Sequence, residues 1–157
     1  MSKTTRATQA LHKAGAAFDV LTYDYQSGAE RIGLQAAAAI GEPPSRVLKT
    51  LMVLVDGKPA CCVVPSDGEL SMKRVAAAFG GKAATMMPPA EAEKATGYHV
   101  GGISPFGAKK RLPVAIEAAA LDEPYVIINA GQRGVMVRLS PAEAARVLEA
   151  VTVPLLA

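Results

Sequence analysis

The chain has 157 residues, which falls within the roughly 100 to 200 residues of one domain and suffices to bury a core without disulfides or metal, so a single domain over 1-157 is expected. Half of it is hydrophobic while only four Tyr, three Phe and no Trp are aromatic, a composition that excludes disorder and argues against a stacking platform for single-stranded nucleic acid. The net charge of +3 is uneven, because residues 31–111 carry eleven bases against six acids and residues 112–157 three against five, a modest basic centre able to attract a polyanion but too weak to establish nucleic-acid binding.

Residues 5–14 place Ala7, Ala10, Leu11 and Ala14 at helical spacing before Gly15, which predicts a helix with a glycine stop. Alternation over residues 18–23 predicts a short strand running into the polar loop DYQSG. A second helix over 30–40 is stopped by Gly41 and by Pro43 and Pro44. Residues 47–55 form the most apolar strand, and DGK at 56–58 turns it into a partner strand over 59–65. Ser71 caps a helix in MKRVAAAF, residues 82–87 resume as a strand, and Pro88 with Pro89 opens another short helix. Residues 97–107, GYHVGGISPFG, fit neither period and read as a glycine-rich loop. Strands near 112–116, 125–129 and 135–139 follow, the last two joined by a GQRG turn. Ser140, Pro141 and Glu143 predict a capping box for a final helix. Strands and helices interleave without strict alternation, so the expected class is α/β, a mixed sheet with surrounding helices.

No apolar stretch approaches the roughly 20 residues of a membrane span. The polar start MSKTTRATQALHK lacks the apolar segment of a signal peptide, so a cytoplasmic location and no membrane contact are expected. Cys61 and Cys62 are adjacent, a spacing that suits neither a disulfide across a loop nor a zinc knuckle, and they read as reduced core residues. With His12 and His99 as the other soft ligands, neither a metal site nor a cofactor is expected.

Lys49 is the most informative single residue. Period two sets it on one face with Val47, Leu51, Val53 and Val55, where a lysine loses hydration unless an anionic or polar partner compensates. It is either a strand-end lysine that snorkels to solvent or a cation lining a ligand pocket. Gly97, Gly101, Gly102 and Gly107 make the loop either a turn-rich connection or a set of backbone amides brought close to a carbonyl or oxyanion. Ser104 is one of its few hydroxyls, and no triad assembles around it. The run Lys109, Lys110, Arg111 is a solvated face or a phosphate contact that Arg133 extends. Asn129, at a strand end, sits where binding groups often lie, and Tyr23 either closes a pocket or packs at the core rim.

In combination, VLKTLMV, the run TGYHVGGISPFGAKKRLP and the strand-turn YVIINAGQRG resemble the YbaK/EbsC family of trans-acting aminoacyl-tRNA deacylases, which are similar to the editing domain inserted in bacterial prolyl-tRNA synthetases. The likeness covers essentially the whole chain and implies an enzyme without a cofactor that clears Cys-tRNA(Pro), a product that size-based selection cannot prevent. In the mechanism that the resemblance implies, the substrate's own thiol attacks the ester and cysteine leaves as a thiolactone, formally a lyase reaction rather than a hydrolysis. By the same resemblance Lys49 is the essential lysine, Gly101 and Gly102 hold the aminoacyl group, and Tyr23 is a pocket tyrosine. Asn129 stands where the closest members have serine and Ile32 where some have phenylalanine, both bordering the aminoacyl pocket. Mischarged tRNA(Pro) and prolyl-tRNA synthetase are the implied partners. Two other functions stay open on these residues: a deacylase for another small aminoacyl ester such as Ala-tRNA(Pro), and a non-catalytic nucleic-acid-binding module resting on the basic centre.

Overall fold

The computed structural model describes residues 4–25 and 32–157, the side chain of Ile32 excepted. Its order is α1 (Arg6–Lys13), β1 (Asp19–Thr22), α2 (Ile32–Ile40), β2 (Val47–Val55), β3 (Lys58–Pro65), α3 (Met72–Ala78), β4 (Ala84–Met86), α4 (Pro89–Thr96), β5 (Val114–Glu117), a 3-10 turn (Ala118–Asp122), β6 (Val126–Gln132), β7 (Val135–Leu139), α5 (Pro141–Leu148) and β8 (Val151–Val153). The strands form one mixed sheet in the order β1-β7-β6-β2-β3-β5-β8, with β4 added beside β2. The expected α/β class with surrounding helices is what the chain adopts.

Local chemistry explains most boundaries. Thr5 caps α1 through the Thr8 amide while the Thr8 hydroxyl answers the Thr5 amide, a reciprocal box. Asp56 and Gly57 both take positive φ, 50° and 81°, the twist that lets a two-residue turn join β2 to β3 in register. At α5 the capping box predicted from Ser140 is half made. Ser140 Oγ accepts from the Glu143 amide, but the Glu143 carboxylate turns to Arg146 instead. Residues Ala118–Asp122 form a 3-10 turn, and β8 is too short for alternation to show in the sequence.

Each face of the sheet is covered. Leu48, Met52, Cys61, Val63 and Ile128 point to one side, against α1, α4, α5 and the loop after α4. On the other side Val47 and Ile127 meet Ala36 and Ala37 of α2, while Val53, Val55, Cys62 and Val64 meet Val75 of α3 and Leu155 of the C-terminal segment. Lys49 belongs to this second face by register, between the patch under α2 and the patch under α3. The aliphatic alternation of β2 is thus interrupted at the seam between two helices.

Along one edge β3 pairs with the whole of β2. Along the other edge β6 pairs in parallel at only Val47–Ile127 and Leu48–Ile128, and β4 takes over at Val53–Val55. Between those two stretches the sheet is open. A bulge in β6 between Asn129 and Gln132 lies at the point of separation, and a bulged strand bends away from its neighbour. The next rung of the register would join Lys49 to Asn129, and it is not formed. Parallel strands that part in this way leave a crevice, a recurrent place for ligands in α/β sheets.

Candidate active site

The opening between β2 and β6 holds a cavity of about 390 Å³, within the size range of small-molecule sites. Lys49, Thr50 and Leu51 of β2, Asn129 of β6, Met136 of β7 and Ala36 of α2 line it, together with Ser66 and Glu69 after β3 and Val100, Gly101 and Ile103 of the glycine-rich loop. Residues from six segments converge there, and the charged ones are Lys49 and Glu69. Apolar side chains form much of the wall, which strengthens the field of a cation set among them.

The loop is held over this cavity from both sides. Glu93 accepts the Val100 amide at 2.8 Å and the Arg133 guanidinium donates to the Val100 carbonyl at 2.8 Å. The first bond, aided by His99, keeps the Glu93 carboxyl below the usual range. Arg133 also lies over the Tyr25 ring, 5.2 Å from its centre. Gly101 has φ +96°, and a Cβ there would stand 2.7 Å from the Tyr25 hydroxyl. Only glycine lets the chain pass under Tyr25. At Gly102 a Cβ would meet the Arg133 backbone nitrogen at 2.8 Å, so the loop presses directly on the β6–β7 turn.

Two buried hydroxyls, Tyr23 Oη and Thr50 Oγ1, have no hydrogen-bond partner among the described residues. Buried polar groups are nearly always satisfied, so each orphan is a candidate to bond a water or a ligand. Thr50 lines the cavity. Tyr23 packs against the Ala36, Val47, Ile127 and Met136 cluster on the Lys49 face. Burial, with Tyr25 adding to it, pushes its phenol above the ordinary tyrosine value, so it stays a neutral donor. The Ser66 hydroxyl, by contrast, is buried and donates to the Val47 carbonyl. It is committed to the fold.

A family model described as the aminoacyl-tRNA editing domain matches residues 30–147. The chain belongs to that family. The protein EbsC of Enterococcus faecalis, by name a Cys-tRNA(Pro)/Cys-tRNA(Cys) deacylase, is 34% identical over 122 residues, covering 76% of this chain and 74% of that one. A proline–tRNA ligase of Acidithiobacillus ferrooxidans is 28% identical over 118 residues, with 71% of this editing-family chain matching only 21% of the ligase. Among solved structures, one described as a trans-editing enzyme for prolyl-tRNA synthetase superposes with a TM-score of 0.86 at 22% identity, covering 100% of this chain and 98% of that one. At that identity the likeness carries the fold alone.

Within this editing domain the residues expected from the sequence divide into two groups. Lys49, Gly101 and Asn129 come together in the cavity, Tyr23 lies on the same sheet face, and Arg133 braces the loop. The Gly102 amide donates to the His99 carbonyl at 2.9 Å inside a turn. Ser104, Lys110 and Arg111 border a different cavity on the opposite face. Within this loop Val100, Gly101 and Ile103 line the Lys49 cavity, whereas residues 104–108 line the other one. Lys109 is exposed, its amide bonded to the Thr96 carbonyl. The Ile32 side chain lies outside the described residues. Thr50, Ser66, Glu69 and Tyr25 were not singled out from the sequence, since their importance depends on what faces them across the fold. The one available signal was Thr50 adjoining Lys49 in KTL.

Cys61 and Cys62 are buried free thiols. Burial pushes both up, Cys62 to about 12, so neither is a thiolate near neutral pH.

Proposed function

We propose that the Lys49 cavity is the editing site of a trans-acting deacylase that removes cysteine from mischarged Cys-tRNA(Pro). The observation that carries this reading is the convergence of Lys49, Gly101, Asn129 and the orphan Thr50 hydroxyl in one small cavity of a chain belonging to the aminoacyl-tRNA editing family. The printed name of the Enterococcus faecalis relative supports the substrate class.

In this reading the aminoacyl group enters the opening between β2 and β6. Its short side chain rests on Leu48, Ile103 and Met136, while the ammonium of Lys49 faces the ester oxygen or the terminal phosphate, where negative charge gathers. Asn129 offers both an amide donor group and a carbonyl acceptor, and the Thr50 hydroxyl supplies a further bond. Arg133 and the Lys109–Arg111 run add positive potential that attracts the tRNA backbone. The cavity offers no activated nucleophile among its described residues, since Ser66 is committed to Val47 and no histidine or cysteine lines it. Attack by the substrate thiol fits such a site. The Cys sulfur bonds to the ester carbonyl carbon, the bond from that carbon to the ribose oxygen breaks, and the thiol proton passes to the ribose oxygen, leaving cysteine thiolactone and an intact tRNA 3′ end.

Purified protein incubated with Cys-, Ala- and Pro-tRNA(Pro) tests the proposal. Rapid loss of the Cys ester with the Pro ester spared is expected. Loss of the Ala ester alone would transfer the activity to a different small aminoacyl-tRNA, and tight binding without loss of any ester would leave a binding module.

A further inference from the structure

The glycine-rich loop walls a second cavity. It measures about 340 Å³ and lies on the other face of the sheet, between α1, α5 and residues 104–114. Met52, Cys61, Phe106, Val114, Val147 and Leu148 give it an apolar interior, and Lys13, Lys110 and Arg111 stand among its lining. Lys110 and Arg111 are exposed, which sets the positive charge at the mouth. Ser104 also lines it and is 1% exposed. Its Oγ accepts from the Phe106 amide at 3.1 Å, and no acceptor among the described residues takes its own proton.

We propose that this second cavity is a ligand site for a small carboxylate with an aliphatic tail. An apolar interior of this size takes the tail, and three cations with an unused hydroxyl donor take the head through charge-assisted bonds. The ion pair that Arg111 makes with Glu149 at 3.1 Å does not oppose this, because both side chains are largely exposed and such pairs contribute little. A neutral ligand would leave the charged mouth unused. One continuous segment borders both cavities, with Val100, Gly101 and Ile103 on the Lys49 side and residues 104–108 on this one. Tyr98 ties it together by donating to the Phe106 carbonyl at 2.7 Å. Filling the second cavity therefore presses on the wall of the first. This inference stands whether or not the deacylase reading holds.

Titration of the full chain with octanoate, followed by amide chemical shifts, tests it. Saturable shifts at Gly107, Ala108 and Leu112, with smaller ones at Gly101, are expected. Octanol should bind about tenfold more weakly, the effect of one charge-assisted bond, and acetate not measurably. Lys110→Ala, at an exposed position that the fold does not need, and Ser104→Ala should each weaken octanoate about tenfold, and Val147→Phe should block it by filling the cavity. Shifts confined to Lys49, Ser66 and Asn129, shifts that never saturate, or equal affinity for octanol and octanoate would each overturn the proposal.

Discussion

Lys49 and Thr50 are neighbours in β2 and face opposite sides of the sheet, yet both reach the same cavity because the sheet is open beside them. The lysine is legible in the sequence as a charge inside an aliphatic run. The threonine is not, since its hydroxyl matters only once it is seen to be buried without a partner. Replacing an unsatisfied buried hydroxyl with a methyl group of the same shape removes a desolvation cost, so Thr50→Val should raise stability by about 1 kcal/mol. If the hydroxyl bonds the substrate, the same change should lower kcat/KM for the Cys ester about tenfold, the rate equivalent of about 1.4 kcal/mol. Thermal denaturation and deacylation rates measured on one preparation check both halves. A gain in stability with unchanged turnover would assign the orphan hydroxyl no part in the chemistry.

β2, β3, β7 and the turn between the first two were legible because alternation and turn chemistry are local. The bulge in β6 and the early end of its ladder with β2 were not, for they depend on pairing between segments about 80 positions apart. The C-terminal segment illustrates the same limit. Glu117, just past the strand expected near 112–116, is 5% exposed and accepts bonds from the amides of Ala119, Leu155 and Leu156. Burial by itself raises its pKa, but the three amides, with Arg74 nearby, outweigh that and hold the carboxyl below its usual range. Its stabilising effect is therefore full above the unfolded value of about 4.3 and is lost as pH falls through the lower native value. Glu117→Gln should cost about 2 kcal/mol at neutral pH, and the melting temperatures of variant and wild type should converge in acid. Curves that stay parallel from neutral pH to acid would refute the tether.

The molecule as a whole places two cavities on opposite faces of one sheet with a single glycine-rich loop between them. That arrangement reassigns the features that stood out in the sequence. Lys49, Gly101 and Asn129 share one cavity, while Ser104 and the last two residues of the Lys109–Arg111 run border the other. The resemblance conveyed the family and the fold, but a linear motif carries no record of which way each residue turns, and GGISPFGAKKR crosses from one face to the other within a few positions. The paucity of aromatics acquires a structural counterpart, since no aromatic ring is among the described residues that line the Lys49 cavity. Deacylation of Cys-tRNA(Pro) by wild type and by Lys49→Ala, at equal concentration and with folding verified by thermal denaturation, examines the proposed site at its centre. The variant should lose about a hundredfold or more in rate, the effect of removing one group that stabilises developing charge, while its melting temperature is kept. Equal rates for the two proteins would contradict the account.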